Sequence, residues 1–421
     1  MASVPKSLDE TFDVAVCGAG PAGLATALAA TRLGLSVAAI GPRAGSDDGR
    51  TAALFLSSVA FLKNIGCWQS LGEAAEPLEA IRLIDATGAL FRAPEVMFRA
   101  EEIGLDAFGY NVPNSALTAA LESALEGRAR RLFSPAASCD LSSEPVLTLS
   151  SGDVIRAKLI GAADGRQSLV RTAAGIDVKT WRYEQAAVVT TFRHSRPHKR
   201  MSSEFHRKAG PLTVVPGPGD TSSLVWVETP DNAKRLIELD EAQFAVELET
   251  HLCGLLGKLK AFAPRRLYPL TGQTALKFAQ NRTALIGEAG HVIPPIGAQG
   301  LNLSFRDAAT FAEVARDAKD QSGDAGSAQA IERFQSRRSQ DIASRVWTVD
   351  LLNRSLLSEH TPVHLARGFG LFSLSAIGPL RRLLMREGVS PSFSTPKLMQ
   401  SPDAPGKVAQ QALDQRPPPQ A

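Results

Sequence analysis

The sequence predicts an α/β protein, a Rossmann-like dinucleotide-binding domain joined to a β-rich second domain and followed by C-terminal helices. Three observations carry this. Gly18, Gly20 and Gly23 form a G-x-G-x-x-G fingerprint between an apolar run and an alanine-rich segment. Residues 180–276 are rich in β-formers separated by polar and Gly/Pro loops, and residues 330–388 read as apolar helix. At 421 residues the chain exceeds what one hydrophobic core usually serves, so two domains are expected.

The elements follow in order. Residues 1–11 are polar and read as a frayed end. Phe12 to Cys17 reads as a buried strand, Leu24 to Leu33 as a helix and Leu35 to Ile40 as a second strand, which completes a βαβ unit ending at Arg43. In such a unit the first glycine permits the turn, the second lets the backbone approach a pyrophosphate, and the third lets helix and strand pack closely. Residues 44–49 are a loop by composition, and Arg50 to Leu54 opens a helical pattern that ends near Gly66. Arg50 thus stands where a loop becomes a helix, placed either to meet a phosphate or to be solvated.

Residues 80–92 alternate around Ala86, Thr87 and Gly88, a hairpin signature. Asn114 to Leu125 reads as an amphipathic helix with Asn114 or Ser115 available as its cap. Strands over Val146–Leu149 and Val154–Ile160 lead to Asp164 and Gly165, then to a helix capped by Ser168. Strands are expected around Val188–Phe192, Leu212–Val215 and Ser222–Val227, forming an antiparallel sheet, with an inserted helix over Gln243–Leu256. A last strand, Thr283–Ile286, ends in Gly287 and Glu288. A proline turn and glycine loop follow, carrying Pro295, Gly297, Gln299 and Gly300, and lead into a helix over Asn302–Ala318. The tail from Ser390 is rich in Pro, Gln, Ser and Ala and reads as disordered.

Composition excludes several classes. A net charge of +3 is too small to argue for nucleic acid. The four cysteines form no C-x-x-C pair and there is no signal-peptide pattern, so a reducing, cytoplasmic setting is expected. His194 with His198, and His360 with His364, are each interrupted by proline and read as solvated loops rather than metal sites. No apolar run is long enough to span a bilayer. The apolar stretch flanked by Arg381, Arg382 and Arg386 reads either as a core-covering helix pair or as an interfacial helix meeting lipid head groups.

Taken together, Gly18/Gly20/Gly23, Asp164–Gly165, and Gly287–Glu288 followed by Pro295, Gly297, Gln299, Gly300 and Asn302 resemble the class A flavoprotein aromatic hydroxylases, with their p-hydroxybenzoate hydroxylase-like fold. Asp48, Arg50, Thr51 and Leu54, Tyr110 to Asn114 with Leu117, and Pro211 with Ser223 to Trp226 narrow the resemblance to the UbiH/UbiF/VisC-type ubiquinone-biosynthesis hydroxylases. It spans about residues 12–386.

The resemblance implies FAD as cofactor, with electrons from NAD(P)H or a separate reductase. It implies hydroxylation of the ring of a polyprenylated phenol by O2 through a flavin C4a-hydroperoxide. The first glycines would hold the pyrophosphate, and Arg43 would join them in binding the cofactor. Arg50 and Asn114 would reach the phosphate and ribityl region, and Asp164–Gly165 would serve FAD and transiently the nicotinamide. Glu288 stands where an Asp usually bonds the ribityl chain, and Pro295 to Asn302 would line the flavin ring. His291 would support the site rather than transfer a proton, and the sequence identifies no catalytic base.

Gly41 replaces the Glu that normally bonds the adenosine ribose, and Glu288 is one methylene longer than Asp, so FAD is expected to bind but to be lost easily. Expected partners are the phenol, O2, other ubiquinone-biosynthesis proteins and the inner-membrane surface. A hydroxylase of a small soluble aromatic, or a non-catalytic flavin-binding subunit of a biosynthetic complex, are the alternatives. The expected division is a discontinuous FAD-binding domain (1–80, 101–178, 277–345), a β-rich substrate domain (81–100, 179–276), C-terminal helices (346–388) and a disordered tail (389–421).

Overall fold

A computed structural model describes residues 7–43, 45, 49–88, 94–295, 297–357, 378, 381–382, 385 and 395–401. One sheet is built on parallel strands in the order Thr283–Leu285, Val154–Ala162, Ser7–Cys17, Val37–Ile40 and Arg130–Leu132. The helix Pro21–Arg32 is buried along most of its length and packs on both the sheet and the long helix Gln299–Ser322. Alanines at 25, 27, 29 and 30 let these elements approach closely. Lys319 on the long helix bonds Asp13 at 2.7 Å and ties it to the first strand.

A second sheet runs in the order His291–Val292, Arg266–Ala275, Val178–His194, Thr221–Glu228, Gly210–Gly217, Met201–Arg207, Ala80–Asp85 and Val96–Arg99. One face buries Phe192, Phe205, Leu212, Leu224 and Trp226 under helices Pro230–Glu238 and Glu241–His251. The opposite face carries Ala187, Val189, Val225, Val227 and Leu270, by the period-2 alternation of strands. That face turns toward the first sheet's domain, because Asn111 donates to Ser223 Oγ at 3.3 Å and Thr51 bonds the same hydroxyl at 2.9 Å.

Several elements differ from the sequence reading. Residues 7–11 are not frayed; they extend the first strand and pair with the start of Val154–Ala162. Thr51–Phe55 is a strand, with the helix beginning only at Leu56, because residues 51–55 pair with Gly109–Pro113. Arg50 therefore precedes a strand. Ala80–Asp85 has its antiparallel partner at Val96–Arg99, and residues 89–92, expected to be the return arm, lie outside the described residues. It also pairs in parallel with Met201–Arg207, so the sheet is not purely antiparallel. The helix Asn114–Leu125 is capped by Pro113 without a side-chain bond. The helix expected over Gln243–Leu256 runs instead over Glu241–His251, capped by Asp240 and Gln243 in a capping box, and a further helix, Pro230–Glu238, precedes it.

Ala328–Leu357 is a single helix running across the expected break at 345/346. Part of the tail is docked: Asn64 bonds the carbonyls of Leu398 and Gln400 at 2.8 and 3.0 Å, and Met399 is buried. His194 is buried rather than solvated, with Nδ1 on the Arg196 carbonyl and Nε2 on Ser222. His360, His364 and Arg386 lie outside the described residues. Arg381, one of the arginines flanking the apolar stretch read either as a core-covering helix pair or as an interfacial helix, pairs with Glu102.

Candidate functional site

The three glycine-containing motifs meet at one edge of the parallel sheet. A Cβ on Gly18 would lie 2.0 Å from the Ala163 carbonyl oxygen, and one on Gly23 would lie 2.0 Å from the Gly18 carbonyl oxygen. Only glycine lets the fingerprint loop close against its own helix and against the strand end carrying Asp164. On the other side, Gly287 packs on Ser304 of the long helix and faces Ala22, in the first turn of the first helix.

Other glycines of these motifs behave differently. A Cβ on Gly20, Gly165, Gly297 or Gly300 would meet no atom of the described residues within 4 Å. Those positions line open space beside the N-termini of the helices Pro21–Arg32 and Gln299–Ser322, where unpaired amides favour anions and polarised oxygens. Among the described residues, Asp164 Oδ1 and Asn114 Oδ1 are buried and have no hydrogen-bond partner. The other Asp164 oxygen accepts from Val170 N at 3.2 Å, and Ser168 caps the short helix Leu169–Ala173. Leaving buried acceptors unpaired costs about 1–3 kcal/mol each, so these two are poised for hydroxyl donors. An elongated dinucleotide with phosphates, hydroxyls and a polar ring edge fits this set.

The remaining expected residues fall as follows. Arg50 is exposed, 5.9 Å from the Tyr268 ring centroid, and its carbonyl accepts from Asn114 N at 2.9 Å, which brings these two together. Arg43 is exposed and lies over Phe133. Glu288, Pro295 and Gly297 are exposed. Gln299 opens the long helix and accepts from Arg345 at 2.9 Å. Asn302 differs from the expectation. Its oxygen accepts from Phe55 N and Ser58 Oγ, and its nitrogen donates to the Ala53 and Ala298 carbonyls. That fills the amide's capacity, so its side chain fixes the loop around it instead of meeting a ligand.

Sequence reasoning missed the charge cluster beneath the site. Asp307 is fully buried and accepts from Gly287 N at 2.9 Å, from His291 Nε2 at 2.7 Å and from Arg338 Nε at 2.7 Å. Arg338 also bonds Asp341 at 2.6 Å, and Asp341 takes Arg306 and Arg345 at 2.7 and 3.0 Å. Burial pushes the Asp307 carboxyl up, but Arg338 and His291 outweigh this and hold it below its ordinary value. Asp341 is likewise held well down by Arg338, Arg306 and Arg345 against its burial. The available signal was Asp307's position on the helix face of Gly300 and Ser304, which faces Gly287. Among the described residues no cluster could hold a metal ion.

The family described as FAD binding domain matches residues 11–340. Ubiquinone hydroxylase UbiL of Rhodospirillum rubrum is 35% identical over 397 residues, covering 92% of this chain and 91% of the relative. The 3-demethoxyubiquinol 3-hydroxylase of Escherichia coli is 29% identical over 390 residues, with 90% and 98% covered. Among solved structures, p-nitrophenol 4-monooxygenase PnpA from Pseudomonas putida aligns with a TM-score of 0.73 at 18% identity, covering 91% of this chain and 98% of its own, which shows a shared fold. The open cradle, the unpaired acceptors and the match over residues 11–340 agree, and the chain belongs to the FAD-binding-domain family.

Proposed function

We propose that this protein is an FAD-dependent monooxygenase that hydroxylates the aromatic ring of a polyprenylated phenol in ubiquinone biosynthesis. The observation that carries the reading is the convergence of the three motifs on one open cradle opposite an apolar sheet face. The likeness to ubiquinone hydroxylases over most of both chains supports the substrate class.

The residues divide the work. Amides around Gly20 and the first helix take the pyrophosphate. Asp164 and Asn114 accept hydroxyls through their unpaired oxygens. The start of the long helix presents N–H groups near Gly300 to electron-rich ring oxygens, held in place by Asn302. Asp307 holds Gly287 through its amide and orients His291. FAD held there would supply the O2 activation needed to place one oxygen on a ring carbon, with NAD(P)H or a reductase as the electron source. Val189 and Val225, partly exposed on that face over the buried Val227 and Leu270, offer an apolar wall that excludes water and suits an isoprenoid-bearing ring.

The alternative of a small carboxylated aromatic calls for a buried arginine on that wall. Arg193 and Arg196 are exposed, and Arg207 lies on the other face against Trp226, paired with Glu228. Their placement favours the prenylated substrate. Among the described residues no helix is long and apolar enough to cross a membrane, so the substrate would be taken from the bilayer surface or from partner proteins. The test is turnover of a short-chain prenylated phenol under labelled O2 with the reconstituted protein. One labelled oxygen in the ring product supports the reading, and flavin oxidation without ring product refutes it.

A further inference from the structure

The strand Val37–Ile40 ends at Gly41, where the resemblance calls for a carboxylate. The backbone there has φ +147°, and a Cβ would lie 2.9 Å from both the Cβ and the amide nitrogen of Ala19 in the fingerprint loop. The strand end presses so closely on the loop that no side chain fits. In a dinucleotide-binding βαβ unit this strand end faces the adenosine ribose. An acidic residue there bonds the ribose hydroxyls, whereas a nearby arginine accommodates a 2′-phosphate.

Arg43 is the charged side chain at this strand end. Its guanidinium carbon lies 3.9 Å from the centroid of the Phe133 ring, and it has no hydrogen-bond or ion-pair partner among the described residues. Phe133 remains 46% exposed, an uncovered aromatic at the end of the neighbouring strand. Arg131 also lies near this ring, at 4.5 Å, but its donors are spent. They bond the carbonyls of Ala39, Gly41, Pro42 and Leu132 and the Glu122 carboxylate. Arg131 staples the turn and is neutralised, which leaves Arg43 as the cation at this strand end without a partner among the described residues.

We propose that Arg43, held over Phe133, recognises the adenosine ribose in place of the missing carboxylate, and that this subsite binds a 2′-phosphorylated adenosine more tightly than an unphosphorylated one. The inference rests on the reading that a dinucleotide lies across the first glycine loop. A carboxylate would take the ribose hydroxyls as donors and repel a phosphate. A guanidinium donates to hydroxyl oxygens and pairs with phosphate in two parallel bonds. A 2′-phosphorylated nucleotide therefore competes with FAD for the ADP half of the site.

The test uses calorimetry on the full chain freed of flavin, titrated separately with FAD, 5′-AMP and adenosine 2′,5′-bisphosphate. The bisphosphate should bind about tenfold or more tightly than 5′-AMP, the range of one charge-assisted contact. The preference should shrink in Arg43→Lys and vanish in Arg43→Glu, with unchanged melting since Arg43 is exposed. Equal binding of the two nucleotides in the parent, or a preference that survives Arg43→Glu, overturns the proposal. Arg43-dependent bisphosphate binding without FAD binding would uphold it while overturning the flavin reading.

Discussion

Asp307→Asn removes one negative charge from beneath the site and leaves the shape nearly unchanged. The parent carboxylate is buried and holds Arg338, His291 and the Gly287 amide at 2.7–2.9 Å. Breaking a buried ion pair from one side costs about 3–5 kcal/mol, because the remaining charge stays desolvated. Arg338 keeps Asp341 at 2.6 Å and the new amide still offers one acceptor, so the lower end, about 3 kcal/mol, is expected. The assay is urea unfolding of the flavin-free protein, read as a midpoint shift at constant slope. FAD affinity should also fall, since the Gly287 turn loses a charged acceptor worth about 1.5–3 kcal/mol. An Asp307→Asn protein with an unchanged midpoint and unchanged FAD affinity would refute the claim that this cluster supports the site.

Gly20→Ala should fold like the parent but bind FAD weakly, since its methyl enters only open space, whereas Gly23→Ala should lower the melting temperature by meeting the Gly18 carbonyl. Melting curves of flavin-free protein beside FAD titrations separate the two. FAD should be largely lost on extended dialysis, because Gly41 offers no carboxylate to the ribose hydroxyls, a contact worth about 1.5–3 kcal/mol that a guanidinium donating to neutral hydroxyl oxygens does not fully replace. Stoichiometric retention would contradict this. Asp307 and Asp341 sit below their ordinary value of 3.8 in the folded state, so their contribution is present above that pH and is lost as pH falls through the folded values. Stability should therefore drop with acid below about pH 4, and less steeply in Asp307→Asn, as followed by circular dichroism against pH.

The first βαβ unit was legible because its signals are local: the glycines, the helix and both strands lie within residues 12–43. Thr51–Phe55 was misread as helix because its strand partner, Gly109–Pro113, stands more than fifty residues away and leaves no trace in the local pattern. The polar start of the first strand hides it from a pattern reading: Glu10 and Thr11 are exposed, and burial is in place only from Phe12. The docked segment 395–401 offers few apolar anchors, Pro396, Leu398 and Met399, within a polar tail; its polar hold comes from Asn64 and Glu313, far away in sequence. Most of the site could be named from the motifs, but which glycines pack and which line open space depends on contacts between them. The Asp307 cluster was hidden for the same reason: its charges join a turn and two helices, and charged residues in helices ordinarily read as solvated faces.

The most direct measurement is the mass spectrum of extracted quinones from the source organism with this gene deleted. The account predicts accumulation of a polyprenylated phenol lacking one ring hydroxyl, restored by the parent gene and not by a variant unable to bind FAD. An unchanged quinone profile, or full restoration by the FAD-free variant, would contradict it.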